Sequence, residues 1–201
     1  MRILVVGASG TIGSAVVEQL QQDKNNEVIQ ASRHGKDVQV DIRSEESIRE
    51  MYKQVGHVDA VVSTAGGAKF SPLTELTPEL NAEGIDDKQK GQINLVLLGM
   101  DYVNDHGSFT LTTGVMMDDP IVEGASIAMV NGAIKYFVQA GAGEMPRGIR
   151  LNSVSPNVVK ESWDTLADYF KGFTPTPANK IATAYQKSIF QKQSGQNIPA
   201  H

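Results

Sequence analysis

The chain has no cysteine. Disulfides, thiolate nucleophiles and zinc–thiolate centres are therefore all excluded, while any compartment remains open. It also lacks any apolar run of 18 residues, so no segment reads as a membrane-spanning helix. Blocks rich in Lys or Arg are missing too, and with a formal net charge of -5 this argues against a nucleic-acid surface. The amino-terminal apolar run is only the four residues Ile3 to Val6 and leads straight into a glycine turn, which is not a signal-peptide pattern. A cytoplasmic protein without membrane or nucleic-acid partners is expected. The histidines, at 34, 57, 106 and 201, form no set with metal-ligand spacing, so no metal is expected.

What is present begins at the first residue. Ile3, Leu4, Val5 and Val6 form the uninterrupted run of a strand covered on both faces. Gly7, Gly10 and Gly13 follow at three-residue intervals, and Ile12, Ala15, Val16, Val17 and Leu20 then recur at the spacing of one helical face. The glycines thus fall in a strand-to-helix turn. There a nucleotide pyrophosphate can approach the backbone, facing the amides of Thr11 and Ile12 at the helix start. The spacing is G-x-x-G-x-x-G, and tight βα packing alone is the competing explanation.

Beyond the first helix, Val28 to Ala31 reads as a second strand, and the residues after it bear on cofactor choice. An acidic residue there would bind the ribose hydroxyls of NAD; this chain has Ser32, Arg33 and His34. A guanidinium suits a 2′-phosphate, so NADP(H) is favoured over NAD(H), the alternative for Arg33 being a solvated loop cation. Val38 to Val40 is a third strand ending at Asp41, which is either an acceptor for the adenine amino group or a turn residue. Ser44 caps the next helix, with Glu45 and Glu46 in its first turn and Ile48, Met51 and Tyr52 on its buried side. Val58 to Ser63 is the fourth strand, followed by Ala65, Gly66 and Gly67 at the carboxyl end of the sheet. Helices are expected over Asp86 to Val103, Gly124 to Gly143 and Ala178 to Phe190, and strands over Ser108 to Thr113 and Gly195 to Ile198. Glu161 to Gly172 reads as a short amphipathic piece, bounded by a turn that contains Pro175 and Pro177.

Together these segments resemble the short-chain dehydrogenase/reductase family. GASGTIG (Gly7 to Gly13) matches its glycine loop, Val40-Asp41-Ile42 its adenine-site segment, and Ser63 to Gly67 stands in place of N-N-A-G. Arg147 to Asn157, RGIRLNSVSPN, is similar to the segment that precedes the nicotinamide. The resemblance runs from Met1 to about Val159. It implies one doubly wound Rossmann-type domain over residues 1–201, an α/β fold with a parallel sheet of about seven strands and helices on both faces. It also implies cofactor contacts from Gly7, Ser9, Gly10, Thr11, Ile12, Gly13, Ser32, Arg33, Asp41, Ile42, Ala65, Gly66, Pro156 and Val158.

The family's chemistry uses an Asn, a Ser and a Tyr-x-x-x-Lys pair. Counting back from Gly143-Glu144-Met145 puts Ile127 in the Tyr position and Asn131 in the Lys position, neither capable of proton transfer. The chain thus resembles an atypical branch without that pair. Lys135 and Tyr136 are adjacent, hence on different helix faces, and Lys135 reads as a solvated helix residue. The Ser position falls on Gly114, with strand alternation turning Thr112 toward the same side. KQKG (Lys88 to Gly91) puts Lys88 in the Asn position; the alternative register, at Asn94, displaces the glycine. Asp118 and Asp119 lie in the segment that lines the substrate cleft, and Asp-Asp-Pro is also an ordinary turn signature. Lys88, Thr112 and Asp118 are accordingly the candidates for catalysis.

Two functions stay open: an NADP(H)-dependent oxidoreductase with a replaced acid, or a catalytically inactive NADP(H)-binding sensor or assembly module. A methyltransferase is disfavoured by Arg33, where an acidic residue is expected. Ile127, Ala128, Met129, Val130, Ala133, Ile134, Phe137 and Val138 make the Gly124 to Gly143 helix apolar over a wide arc that needs cover on two sides, which predicts a homodimer or homotetramer.

Overall fold

The computed structural model describes all of residues 1–201. Strand β1 (Arg2–Val6) has successive apolar side chains on opposite faces, and each face is covered. Leu4 and Val6 enter one hydrophobic cluster, while Ile3 and Val5 enter another. This is the period-two alternation of a strand buried on both sides, and it forces helices onto both faces.

The helices divide accordingly. On the Leu4 side lie α2 (Glu45–Val55), α4 (Gly91–Leu97) and α5 (Ala125–Gly141), contributing Met51, Tyr52, Leu95, Ile134 and Val138. The Ile3 side is covered by α1 (Thr11–Gln21) and α7 (Ala178–Phe190), through Val16, Leu20, Ile181 and Tyr185. Between them runs one seven-stranded sheet in the order β3-β2-β1-β4-β5-β6-β7. The remaining strands are β2 (Glu27–Ser32), β3 (Val38–Gln39), β4 (Val58–Ser63), β5 (Val103–Thr112), β6 (Arg150–Pro156) and β7 (Asn197–Ala200). Every pairing is parallel. The chain order reverses beside β1, and a ligand crevice opens outside the carboxyl ends of the strands at such a point. The expected α/β architecture is the observed one.

Several boundaries differ from the sequence reading, each for a local reason. The helix expected to start at Asp86 starts instead with α3 (Pro78–Gly84), where Thr77 Oγ1 accepts the Leu80 N–H at 3.2 Å and Pro78 occupies the first turn. A π-helical turn over Ile85–Lys90 joins α3 to α4, which stops at Leu97 rather than Val103. Strand β5 begins at Val103, ahead of the expected Ser108, because its first residues pair with β4 across a register shift between Val58 and Ala60. The last strand starts at Asn197, since Gly195 turns with φ +74° and donates its N–H to Leu151 O at 2.8 Å.

The amphipathic piece shrinks to α6 (Trp163–Leu166). The aromatics that follow close on one another instead of continuing a helix. Tyr169 stacks on Phe70 at 4.4 Å between ring centres, and Phe170 meets Phe173 edge-on. By contrast, α2 has the expected Ser44 cap, with Oγ accepting the Ser47 N–H at 3.2 Å, and buries Ile48, Met51 and Tyr52. No helix is long and apolar enough to cross a membrane.

Candidate functional site

The turn between β1 and α1 is as tight as its glycines permit. Gly7 takes φ +88° and donates its N–H to Ala31 O at 2.8 Å. A Cβ on Gly13 would lie 2.0 Å from Gly7 O, so this position admits only glycine without moving the helix. Thr64 Oγ1 donates to the same carbonyl region, at 3.1 Å from Gly7 O, and ties the end of β4 to the turn. Gly10 is different, because a Cβ there would be 3.4 Å from Gly7 O, close to ordinary contact. It caps α1, whose first intrahelical bond is Ser14 N–H to Gly10 O at 2.8 Å. The amides of Thr11, Ile12 and Gly13 are therefore left without an acceptor one turn back, the electrostatic setting for a phosphate.

Next to this turn lies a cavity of about 220 Å³. It is lined by Gly7, Ser9 and Gly10 from the turn, Ser32 and Arg33 after β2, Asp41 and Ile42 after β3, and Ala65 and Gly66 after β4. Nine of the sequence-nominated residues are thus brought together. Thr11, Ile12 and Gly13 stand at the head of α1, outside the lining. Pro156 and Val158 also lie outside it, buried at the far end of β6; the Val158 N–H is already donated to Asn157 Oδ1 at 2.7 Å. A cavity lined by the glycine turn, with the head of α1 next to that turn and Arg33 also in the lining, fits the adenosine and phosphate portion of a dinucleotide.

The Asp41 carboxylate is shared. Arg43 holds it through two nitrogens, at 2.6 and 3.0 Å, and this pairing keeps its carboxyl below the usual carboxylate range. His34, Thr64 and Asp87 also line the cavity and were not singled out from the sequence as contacts. Asp87 Oδ2 accepts the Gly67 N–H at 3.1 Å, a tertiary role that no sequence spacing announces.

Toward the middle of the sheet the polar residues are buried. Lys88 belongs to the π-helical turn, a distortion that recurs at functional positions. Its side chain runs inward, only 8% of the residue is exposed, and Nζ donates to Thr113 O at 3.0 Å. Desolvation brings its pKa down from the usual lysine value to about 8, against the opposing pull of Asp87. Gly66, with φ +91°, crosses directly above: a Cβ there would be 2.8 Å from Lys88 Cα. The segment that lines the cavity therefore rests on the turn that carries the lysine. Gln92, which sequence reasoning passed over, fixes the next turn to the strand. Its Oε1 accepts the Thr112 N–H at 2.7 Å and its Nε2 donates to Thr112 O at 3.0 Å.

The other two candidates are engaged elsewhere. Thr112 was expected to face the cleft; its hydroxyl instead turns to the α7 side, 2.7 Å from Tyr185 OH, and also donates to Ser63 O. Strand alternation was read from one residue too far along, because β5 ends at Thr112. Asp118 Oδ1 forms an ion pair with Lys135 Nζ at 2.7 Å, so the lysine read as solvated has a partner in the loop. Ile127 and Asn131 are both buried on α5.

A family model described as enoyl-(acyl carrier protein) reductase matches residues 7–193. An uncharacterised oxidoreductase of Staphylococcus epidermidis is 27% identical, with 78% of this chain and 76% of that one covered. Among solved structures, a protein of Listeria innocua is 60% identical over the full length of both chains, with a TM-score of 0.97. A small-chain dehydrogenase in complex with NADPH is 24% identical, with a TM-score of 0.88 over 99% of this chain and 95% of that one. At that identity it shows the shared fold.

The two inner glycines predict a sharp contrast. Gly13→Ala is expected to lower unfolding free energy by about 3 kcal/mol or more through overpacking, and Gly10→Ala by less than about 1 kcal/mol. Urea titrations of both variants check this; equal losses would show that the turn relaxes freely.

Proposed function

The chain belongs to the short-chain dehydrogenase/reductase family, and from that membership we propose that it is an NADP(H)-dependent oxidoreductase of a carbonyl–alcohol pair with a non-standard active site, in which Lys88 is the proton donor. When bound, the nicotinamide supplies the hydride; the protein's own residues must bind, orient and move the proton. The observation that carries the reading is the buried Lys88, whose backbone underlies Gly66 and whose ammonium lies at Thr113 O after β5, with its pKa brought down to about 8. A lysine at its ordinary pKa is a poor proton donor at pH 7, and burial makes this one better matched. Ile127 and Asn131 stand in the positions of the usual Tyr-x-x-x-Lys pair, and among the titratable groups on this side of the sheet Lys88 is the buried one whose pKa is brought down toward the working range.

The preference for NADP(H) rests on Arg33. Its guanidinium lines the cavity at the end of β2 and pairs with none of the chain's carboxylates. A family fold solved with NADPH supports a cofactor of that class. The whole of residues 1–201 then acts as one dinucleotide-binding unit. Gly7, Ser9, Gly10, Thr11, Ile12 and Gly13 hold the phosphates, Ser32 and Arg33 the 2′-phosphate, Asp41 and Ile42 the adenine, and Ala65, Gly66, Pro156 and Val158 the rest.

We also read the protein as a homodimer or homotetramer in the cytoplasm. Helix α5 carries a single charged residue, Lys135, and its exposed residues are Ala125, Met129, Tyr136, Gln139 and Ala140. Met129 and Tyr136 are 42% and 66% exposed, and a solvated helix face would be expected to be charged.

Three measurements test these readings. Fluorescence titration should give tighter binding of NADPH than NADH, and Arg33→Ala should remove about 1.5–3 kcal/mol of that preference, the worth of a charge-assisted bond. An unchanged preference refutes the assignment. Reduction across a carbonyl panel should decline as pH rises through about 8, because the ammonium form is the donor and is lost there, and Lys88→Met should cost at least about 100-fold in kcat. Tight NADPH binding with no turnover over the panel would favour the sensor instead. Light scattering should give a mass of two or four chains, and Tyr136→Glu should reduce it; a monomer in both refutes the oligomer.

A further inference from the structure

One wall of the dinucleotide cavity does not come from a strand end or the glycine turn. Among the lining residues Asp87 alone belongs to a helical segment, the π-helical turn, where it immediately precedes Lys88. The two neighbouring side chains serve different places. Lys88 Nζ donates to Thr113 O beyond β5, whereas Asp87 Oδ2 accepts the Gly67 N–H beyond β4.

Backbone contacts join the cavity wall to the same turn. A Cβ on Gly66 would lie 2.8 Å from Lys88 Cα and 3.2 Å from Asp87 O, and Gly66 takes φ +91°, so segment 65–67 can lie flat on the turn only with glycine there. Just past the turn, a Cβ on Gly91 would be 2.7 Å from Ile42 Cδ1. Two lining residues, Gly66 and Ile42, thus press on the short stretch that carries Lys88. The Asp87 carboxylate is the polar tie between that stretch and the wall.

Charge follows the same route. Burial drives the Lys88 ammonium toward its neutral form, and Asp87 is the charge that opposes this. On the elements packed against the turn, Glu83 of α3 is engaged with Lys69 and Lys135 of α5 with Asp118, while Glu79 sits in the first turn of α3 and α4 carries no charge. Within the turn itself Asp86 is paired with Lys90. Arg43, after β3, is held chiefly by Asp41 and in lesser part by Asp87.

We propose that Asp87 is the positioning residue of the proton donor: its carboxylate clamps segment 65–67 onto the turn and serves as the counter-charge of Lys88, so that the cavity wall and the donor are fixed to one another. The inference rests on the reading of Lys88 as the donor.

Two measurements test it. NMR of isotope-labelled lysine follows the Lys88 ammonium in the cofactor-free protein, its signal being the one lost in Lys88→Met, and the pH profile of carbonyl reduction follows the donor in turnover. In the parent both should change at about pH 8. Asp87→Asn keeps an acceptor for Gly67 and removes the charge. The ammonium then deprotonates more readily, so the NMR midpoint and the falling limb should both move down by about one pH unit, the effect of a nearby opposite charge. Asp87→Ala also frees the Gly67 N–H; it should show the same displacement and, at about pH 6, a rate roughly fivefold below that of Asp87→Asn, the worth of one hydrogen bond. A Lys88 midpoint that stays at the parent's pH in both variants overturns the proposal. So do rates lowered alike at every pH with the limb unmoved, which mark Asp87 as merely structural. If the midpoint moves and the limb does not follow it, or the parent reduces nothing, the reading of Lys88 as the donor fails and the positioning role goes with it.

Discussion

The contact between Gly13 and the carbonyl of Gly7 governs the rest of the molecule. With no side chain between them, α1 starts directly over the end of β1, and its first amides face the reversal of the sheet. Ala31, from the neighbouring strand, accepts the Gly7 N–H, and Thr64, from the strand on the other side, donates toward Gly7 O. Three adjacent strand ends are thereby fastened to one turn. The cavity is a consequence of that fastening, since its floor is the set of residues that leave those strands.

Across the sheet the character of the site changes. Over β1 and β2 its lining includes the exposed residues Ser9, Gly10, Arg33 and His34, suited to charged groups that keep part of their hydration. Beyond β4 the polar side chains are enclosed. Lys88 is nearly buried and Asn131 fully so. In such surroundings a charge is poorly solvated and an unpaired amide is expensive, so these residues are the costly part of the fold. Structures retain features of this kind where a ligand or a reaction repays them.

Much of this was legible in the sequence. Alternation of apolar residues in β1 and the glycine spacing identified the central strand and turn, because both patterns follow from local geometry. Ser44 announced α2 for the same reason. Arg33, Asp41, Ile42, Ala65 and Gly66 could be placed at one crevice because each follows a strand, and parallel strands deliver their ends to one side. What escaped was tertiary. The start of α3 was overlooked although Thr77 and Pro78 signal it, and a π-helical turn has no sequence mark. Thr112 was assigned to the wrong face because alternation depends on where the strand ends. The Asp118 and Lys135 pairing joins residues 17 apart across a loop, and Gln92 reaches a strand backbone that local periodicity does not describe.

That last side chain has a mechanical effect. By taking both the N–H and the C=O of Thr112, Gln92 behaves as one more rung of the sheet, supplied by a helix. The helix and the strand tip are thus welded into a single stiff body, and the ammonium four residues earlier keeps its distance from the chain beyond that tip. The Thr112 backbone is thereby held from the side of the helix as well as from its neighbouring strand, which fixes the point from which the chain leaves the sheet toward Gly114.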